Sequence, residues 1–293
     1  MKGIILAGGS GTRLNPLTKV VSKQLLPVYD KPMIYYPLSV LMHAGIRDIL
    51  IICTPEELSR FKKLLGDGSE IGMNFNYEVQ PSPDGIAQAF IIGKDFIGSE
   101  NVCLVLGDNI FYSPSMQEML SNAVSNLSEN SFATVFGYKV SNPESYGVVN
   151  FNKHGKAINI EEKPTKPKSD FAVTGIYFYP NDVVKKAPKI EPSDRGELEI
   201  TSITELYLKE NRLDVQIMSD DSTWMDAGTF ESLFEATKFV KDLELDREDK
   251  LACIEQIAFL KGYIDKEQLI YLAKKLENNT YGQYLINYIK KIS

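Results

Sequence analysis

The first 140 residues alternate between continuous apolar runs and segments in which apolar side chains recur at helical spacing. The continuous runs predict buried strands at residues 4–7, 46–53, 75–80, 101–109 and 132–140. The intervening segments predict helices at residues 30–44, 54–65, 86–97 and 113–127. Such alternation is typical of βαβ units, so we expect a mostly parallel sheet in this part of the chain.

The pattern changes after residue 140, where strands follow one another with few helices between them. Strands are predicted at residues 146–151, 157–162 and 171–179, and shorter ones at residues 215–218 and 223–226. Helices are predicted at residues 199–209 and, capped by Thr229, up to about residue 245. We expect this region to form an antiparallel or mixed extension of the sheet that carries a substrate site.

The C-terminal region contains amphipathic stripes of apolar residues. Asp265 with Gln268, and Thr280 with Gln283, resemble capping boxes that precede two of the stripes. We expect these helices to pack on the main body or on a neighbouring subunit. The predicted fold is α/β: a Rossmann-like, three-layer mixed β-sheet flanked by helices (residues 1–240), with a C-terminal helical extension (residues 241–293).

Composition and charge narrow the class of protein. Of the 293 residues, 43% are hydrophobic and 24% are charged, which is ordinary for a globular chain with a full core. The net charge of −7 argues against a general nucleic-acid binder, although a local positive site for a phosphate remains compatible with it. The N-terminus shows no signal peptide, and no apolar run is long enough to span a membrane. We therefore expect a cytoplasmic protein.

Cysteine and histidine are scarce. Cys53, Cys103 and Cys253 are far apart in the sequence, and the first two lie in apolar runs, so we expect buried, reduced thiols. With only His43 and His154 in the chain, a histidine-based metal site or catalytic triad is disfavoured.

A glycine-rich loop follows the first predicted strand. Its small residues let backbone N–H groups approach an anion, and the arginine adds a permanent positive charge. The loop lacks the Gly-Lys-Ser/Thr ending of a P-loop and the third glycine of a dinucleotide fingerprint. The alternative is a tight turn that binds nothing. The residues concerned are Gly8, Gly9, Gly11, Thr12 and Arg13.

Polar residues end several other predicted strands, and such ends converge at one edge of an open α/β sheet. Asp108 and Asp226 are candidate ligands for Mg²⁺ beside a polyphosphate. The alternatives are a strand-ending turn at Asp108 and an acid near a helix N-terminus at Asp226. Glu162 and Lys163 could contact sugar hydroxyls and a phosphate, and the alternative there is a surface charge cluster.

These segments together resemble the sugar nucleotidyltransferases, and the resemblance extends from Met1 into the C-terminal region. The motifs that carry it are Gly8-Gly-Ser-Gly-Thr-Arg-Leu14, Ser22-Lys-Gln-Leu-Leu-Pro27, Leu106-Gly-Asp-Asn109, Glu161-Glu-Lys-Pro164, Trp224-Met-Asp-Ala-Gly-Thr229 and Tyr281-Gly-Gln-Tyr284. The similarity favours the thymidylyl-transferring branch of the family. It implies a fold of the nucleotide-diphospho-sugar transferase type, dTTP and glucose 1-phosphate as substrates, Mg²⁺ as cofactor, direct displacement without a covalent intermediate, and a homotetramer.

The resemblance also implies roles for individual residues. Catalysis would depend on Arg13, Lys23, Asp108, Lys163 and Asp226, of which Asp108 and Asp226 would bind the metal. The nucleotide would be held by Gly8, Gly9, Gly11, Thr12, Arg13, Lys23, Gln80, Gly85, Asp108 and Asn109. The sugar phosphate would be held by Tyr146, Gly147, Glu162, Lys163, Val173 and Gly175.

One residue departs from the family pattern: Ala227 stands where many relatives have threonine, and we expect only a change in local packing.

Two alternative functions stay open. One is a pyrophosphorylase for another nucleotide or hexose 1-phosphate, such as one that makes UDP-glucose. The other is a non-catalytic nucleotide-sensing module. The missing third glycine argues against a dehydrogenase.

Overall fold

The computed structural model describes residues 1–9, 11–247 and 249–292. Its strands are β1 (Lys2–Ala7), β2 (Pro27–Val28), β3 (Lys31–Pro32), β4 (Asp48–Cys53), β5 (Asn74–Val79), β6 (Val102–Leu106), β7 (Asn109–Tyr112), β8 (Ala133–Lys139), β9 (Gly147–Phe151), β10 (Ala157–Glu162), β11 (Phe171–Tyr179), β12 (Leu213–Ile217) and β13 (Thr223–Asp226). Its helices are α1 (Tyr35–His43), α2 (Leu58–Leu65), α3 (Gln88–Ile92), α4 (Lys94–Ile97), α5 (Met116–Asn130), α6 (Val183–Lys186), α7 (Ile200–Lys209), α8 (Phe230–Asp246), α9 (Ile254–Leu260), α10 (Lys266–Lys275) and α11 (Thr280–Lys291).

The central sheet contains nine strands within the described residues. Strands β5, β4, β1 and β6 are parallel neighbours in that order, and Ile5 lies opposite both Ile51 and Val105. Strand β11 then runs antiparallel to β6, β8 and β9, while β10 extends the sheet beyond β9 and β12 beyond β8. The mixed sheet predicted from the change of pattern near residue 140 is confirmed.

The two faces of the sheet bury different helices, because successive side chains of a strand point to opposite sides. Ile5 and Ile51 pack into a cluster that includes residues of α1, α5 and α9. Ile4 and Leu50 pack into a second cluster with residues of α3 and α7. The predicted three-layer α/β arrangement is therefore confirmed.

Several element boundaries differ from the predictions. The helix expected from residue 30 begins at Tyr35, because β2 and β3 pair as a short hairpin at residues 27–32. Pro37 consequently falls in the first turn, where proline does not interrupt the helical hydrogen bonds. The helix expected from residue 54 begins at Leu58 and has no side-chain cap. The helix expected at residues 86–97 is two short helices that meet at Gly93.

The run at residues 101–109 is the most consequential difference. Strand β6 ends at Leu106, and a separate strand, β7, leaves the main sheet to pair antiparallel with β13. The pattern missed β7 because its apolar residues follow Gly107 and Asp108, which are typical of a turn. The β7–β13 ribbon supports the site described below.

Helices α9 to α11 pack beside α1 and against one another. The Asp265 side chain caps α10 by accepting from the Gln268 backbone, but the predicted capping box is incomplete, because the Gln268 side chain donates to the Glu70 carbonyl instead. The prediction that Thr280 caps α11 is wrong, because Asn279 is the capping residue and accepts from the Gly282 backbone. All three cysteines are buried and unpaired, as expected. None of the helices in the described ranges combines the length and the apolar character that crossing a bilayer requires.

A buried ion-pair network joins this C-terminal region to the β2–β3 hairpin. Lys31 Nζ lies 2.6 Å from Asp30 Oδ1 and 2.9 Å from Glu244 Oε1. Lys250 Nζ lies 2.5 Å from Asp30 Oδ2 and 2.7 Å from Glu244 Oε2. The Lys31 side chain is only 1% exposed, so its charge depends on these partners.

Candidate active site

The β7–β13 ribbon brings two distant carboxylates to the same place. Asp226 lies opposite Asn109 in the ribbon register, and the Ala227 backbone N–H donates to the Asp108 carbonyl at 3.0 Å. Asp108 and Asp226 are therefore neighbours beyond the end of β6, although they are 118 residues apart in the sequence (226 − 108). This edge of the sheet is where ligands of open α/β folds bind.

Lys23 completes the carboxylate pair from the other side. A 3₁₀ turn at Lys23–Leu25 directs its ammonium onto Asp108 Oδ2. Burial alone would raise the pKa of Asp108, but the charge and hydrogen bond of Lys23 hold it below its ordinary value. The Asn109 side chain also donates to Asp108 Oδ1 at 3.0 Å. Asp108 is therefore kept ionised.

The pKa of Asp226 is shifted in the opposite direction to that of Asp108. Burial, followed by the negative charge of Asp108, raises the pKa of Asp226 to about 6, while Lys23 and Arg13 partly offset the rise. Its Oδ1 atom is buried and has no hydrogen-bond partner among the described residues. A buried carboxylate oxygen without a donor is costly, which makes this atom a natural ligand for a cation.

The carboxylate pair suits a hard divalent cation that takes its remaining ligands from a substrate or water. The described part of the chain contains no cluster of three or more acidic, histidine or cysteine side chains able to form a complete metal cage. Two protein carboxylates, one of them with an unpaired oxygen, thus fit a metal that is bound together with phosphate groups.

The glycine-rich loop lies next to this pair. Gly9 and Gly11 have φ values of +96° and +58°, a region that strongly favours glycine. Thr18 Oγ1 donates to the Gly11 carbonyl at 2.8 Å and so fixes the end of the loop. Arg13 extends toward Asp226: a Cβ atom on Gly228 would lie 2.5 Å from Arg13 Nη2 and 3.0 Å from Asp226 Oδ1.

Gln80 and Gly85 belong to the segment that follows β5, and Gln80 contacts the start of the glycine loop. The Gln80 side chain is buried, and a Cβ atom on Gly8 would lie 2.1 Å from Gln80 Oε1. Gly85 has a φ of +112° and packs directly on the backbone of Leu198. A side chain at Gly85 would collide with the Leu198 backbone, whereas one at Gly8 would displace the end of the Gln80 side chain. Gln80 therefore sits against the start of the glycine loop, as its place at the end of β5 predicts.

A cavity of about 150 Å³ opens beside Asp226, between β9, β10, β11 and the β7–β13 ribbon. Its lining includes both Asn109 and Asp226, so it adjoins the carboxylate pair. It also includes every residue expected at the sugar phosphate, namely Tyr146, Gly147, Glu162, Lys163, Val173 and Gly175. The structure thus places the predicted sugar-phosphate residues next to Asn109 and Asp226.

Glu162 and Lys163 enter the cavity at the end of β10. Thr201 Oγ1 donates to Glu162 Oε2, and burial, with a contribution from Glu199, raises the pKa of Glu162. Lys163 has a φ of +41°, which is unusual for a residue with a side chain. Its backbone N–H donates to the Tyr146 carbonyl at 2.9 Å, which holds this conformation in place.

Three contributors were not singled out from the sequence. Trp224 Nε1 donates to Asn109 Oδ1 at 2.6 Å, and its ring packs 5.1 Å from that of Tyr146. Thr201 supports Glu162 from α7, and Arg195 Nη1 lies 3.7 Å from Glu162 Oε1. Trp224 opens the motif Trp224-Met-Asp-Ala-Gly-Thr229, two residues before Asp226, so the sequence does indicate that it lies near the site. Thr201 and Arg195 have no local signal, because only the fold brings them to Glu162.

Comparisons with known proteins agree with this geometry. The family model described as nucleotidyl transferase matches residues 2–242. A glucose-1-phosphate thymidylyltransferase of Neisseria meningitidis is 57% identical over 291 residues, covering 99% of this chain and 100% of the relative. One from Mycobacterium tuberculosis is 50% identical over 291 residues, with the same coverage.

Solved structures match as well. A Bacillus anthracis structure, described as a glucose-1-phosphate thymidylyltransferase in complex with sucrose, has a TM-score of 0.75 and 44% identity, covering 83% of this chain and 96% of that chain. A UDP-glucose pyrophosphorylase with UDP-glucose has a TM-score of 0.71 at 24% identity, covering 84% and 99%, and supports the fold. The resemblance seen in the sequence motifs is confirmed, and the chain belongs to the nucleotidyl transferase family.

Proposed function

We propose that this enzyme transfers a thymidylyl group from dTTP to glucose 1-phosphate and forms dTDP-glucose and pyrophosphate. The observation that carries the proposal is that the cavity lined by the six expected sugar-phosphate residues opens directly beside Asp226 of the carboxylate pair. A sugar phosphate there would meet a nucleotide held on the glycine loop. The relatives named for this reaction cover almost the whole chain.

The nucleotide would lie along the glycine loop with its base near Gln80 and Gly85. Gly8, Gly9 and Gly11 allow close approach of phosphates to the backbone, with Thr12 at the end of the loop. Arg13 and Lys23 would neutralise charge on the triphosphate. Asn109 would support Asp108, to which its side chain already donates a hydrogen bond.

Asp108 and Asp226 would hold Mg²⁺, and the unpaired Oδ1 atom of Asp226 supports this assignment. The ion would supply positive charge at the reacting phosphate and orient it. Binding requires Asp226 to be ionised, and the neighbouring charges of Lys23 and Arg13 favour that state.

The reaction itself needs little acid–base chemistry. A phosphate oxygen of glucose 1-phosphate attacks the α-phosphorus of dTTP in line, and the bond to the β-phosphate oxygen breaks to release pyrophosphate. The attacking phosphate is already an anion, so no general base is required. The main obstacle is repulsion between two polyanions, which Lys163, Lys23 and Arg13 would reduce while fixing the geometry.

The sugar would occupy the cavity, with Glu162 positioned to accept hydrogen bonds from its hydroxyls. Gly147 leaves room there, since a Cβ atom would lie 3.0 Å from Thr201 Oγ1. Gly175 does the same beside Asn109, where a Cβ atom would lie 2.3 Å from Oδ1. Tyr146 and Val173 would form the walls of the sugar site.

Three further assignments belong to the proposal. The chain would act in the cytoplasm, in agreement with its buried, unpaired cysteines. It would assemble as a homotetramer through surfaces that the single chain leaves open. Residues 1–240 would form the catalytic domain and residues 241–293 an extension, a division supported by a family match that ends at residue 242.

The proposal is tested by identifying the product. Purified protein, dTTP, glucose 1-phosphate and Mg²⁺ should yield dTDP-glucose, detected by anion-exchange chromatography and mass spectrometry. Chelation of the metal should stop its formation. Product formed only from another nucleotide or sugar phosphate would replace the substrates proposed here, and absence of product with every pair would favour a nucleotide-sensing role.

A further inference from the structure

The orientation of the Gln80 side chain is set by residues that lie behind it. Gln80 is only 4% exposed, and its Nε2 group donates to Gln88 Oε1 at 2.7 Å and to the Gly85 carbonyl at 3.4 Å. Gln88 is the first residue of α3, and its own Nε2 group donates to Asp84 Oδ2 at 3.0 Å. Three side chains thus form a continuous chain of hydrogen bonds, which we name the amide relay: Asp84, Gln88 and Gln80.

The acid at the start of the amide relay fixes the direction of every bond in it. An ionised carboxylate only accepts hydrogen bonds, whereas an amide side chain has one donating end and one accepting end. Asp84 therefore requires the Nε2 end of Gln88, which turns Gln88 Oε1 toward Gln80. Gln80 must therefore donate to Gln88 Oε1 from its Nε2 group. Ser82 also donates to Asp84 Oδ2 at 2.5 Å, which holds the carboxylate in place.

The consequence is that Gln80 presents an oxygen to the ligand side. Gln80 Oε1 faces the α-carbon of Gly8 at the start of the glycine loop. None of the described residues donates a hydrogen bond to this atom. The residue is more than nine-tenths buried, and its Oε1 atom, which has no donor among the described residues, would accept a hydrogen bond from a donor on the bound base.

We propose that Asp84 and Gln88 are positioning residues that select the pyrimidine base by fixing the polarity of Gln80. This inference rests on the proposed function, in which Gln80 lies at the base. Thymine and uracil carry a hydrogen on N3 and would donate it to Gln80 Oε1. Cytosine has an unprotonated N3, so two acceptors would face each other without a hydrogen between them. The amide relay therefore favours dTTP and disfavours dCTP.

Two substitutions of Gln88 separate polarity from packing. In Gln88→Lys the side chain can only donate, so Gln80 would turn its oxygen toward Lys and present Nε2 to the base. In the double variant Gln88→Glu with Asp84→Asn, residue 88 still accepts from Gln80 and residue 84 can donate to it. The double variant therefore keeps the direction of the relay although it exchanges the acid and the amide.

The experiment measures kcat/KM for dTTP and dCTP at saturating glucose 1-phosphate. In Gln88→Lys the ratio of kcat/KM for dTTP to kcat/KM for dCTP should fall by about 10- to 100-fold. The reason is that the hydrogen bond from thymine N3 is replaced by two donors, Gln80 Nε2 and thymine N3, that face each other. In the double variant the ratio should stay within about threefold of the wild-type value. The KM for glucose 1-phosphate should change by less than about twofold in both variants. The control is Asp95→Asn, which replaces an exposed acid on α4 and should also change this KM by less than about twofold.

A wild-type ratio in Gln88→Lys would overturn the relay. So would an equal loss of preference in the double variant, since that would show a packing role without polarity. If Gln88→Lys does not fold, Gln88→Met replaces it: a side chain without hydrogen bonding should also lower the ratio, and an unchanged ratio contradicts the relay. Wild-type protein that releases no pyrophosphate with any nucleotide would instead overturn the proposed function.

Discussion

Asp226 and Asp108 lie side by side with pKa values shifted in opposite directions. Lys23 keeps the pKa of Asp108 low, while burial and the charge of Asp108 raise the pKa of Asp226 to about 6. Lys23 and Arg13 offset the burial of Asp226 and the repulsion from Asp108 only in part, so the pKa of Asp226 stays raised. The arrangement is more stable when a cation or a proton lies between them, and we derive the first prediction from this.

Asp226→Asn should stabilise the metal-free protein at neutral pH. An acid whose pKa is raised in the folded state keeps its proton there at a pH at which the unfolded chain has lost it. Its contribution to the free energy of unfolding therefore falls as pH rises from about 4 to about 6. At about pH 7.5 the variant should be more stable than wild type by about 2 kcal/mol, and the advantage should shrink as pH approaches 4.

Urea unfolding in the presence of a chelator measures this difference at each pH. Asp220→Asn is the control, because Asp220 is an exposed acid that does not belong to the carboxylate pair. An advantage of the same size at every pH would contradict the link between burial, charge repulsion and the pKa of Asp226.

Asp108→Asn should lower turnover by at least about 100-fold while the fold remains intact. The substitution removes the carboxylate that stays ionised beside Lys23 and that we assign to the metal. Pyrophosphate release is measured at saturating Mg²⁺ and saturating substrates, and circular dichroism reports on the fold. Near-normal turnover under these conditions would remove Asp108 from the metal site.

Lys163→Ala should raise the KM for glucose 1-phosphate at least about tenfold and leave the KM for dTTP nearly unchanged. Lys163 lines the cavity, and its unusual backbone conformation places it at the end of β10. Lys168→Ala is a suitable control, because Lys168 lies on the same segment but is 73% exposed and pairs with Glu161. A rise in the KM for dTTP alone would show that the role assigned to Lys163 is wrong.

Lys31→Met should destabilise the protein by about 3–5 kcal/mol, because it leaves buried carboxylates with too little positive charge. Asp30 and Glu244 would then share only Lys250. Thermal unfolding measures the loss. Lys275→Met removes the solvent-exposed pair with Glu70 and should leave the midpoint unchanged. Equal effects of the two substitutions would argue against a structural role for the buried network.

Local patterns predicted the parts of this protein that depend on neighbours in sequence. The parallel strands follow from residue type and spacing and lie where expected, whereas Asp108 lies in a turn between β6 and β7 and not at the end of the strand predicted over residues 101–109. Strand β7 was missed because its pairing with β13 is not visible in either segment alone. Arg195 and Thr201 were missed for the same reason: both lie on segments far in sequence from Glu162, and folding alone brings them to its carboxylate.

Pyrophosphate release shows whether this protein transfers a nucleotide to a sugar phosphate, and which pair of substrates it uses. The protein is assayed with dTTP, UTP, dCTP and dGTP, each paired with glucose 1-phosphate and with other hexose 1-phosphates, in the presence of Mg²⁺. We predict that dTTP with glucose 1-phosphate gives the highest kcat/KM and that a chelator abolishes release. Absence of release with every pair, or a clear preference for another pair, would show that the proposed reaction is wrong.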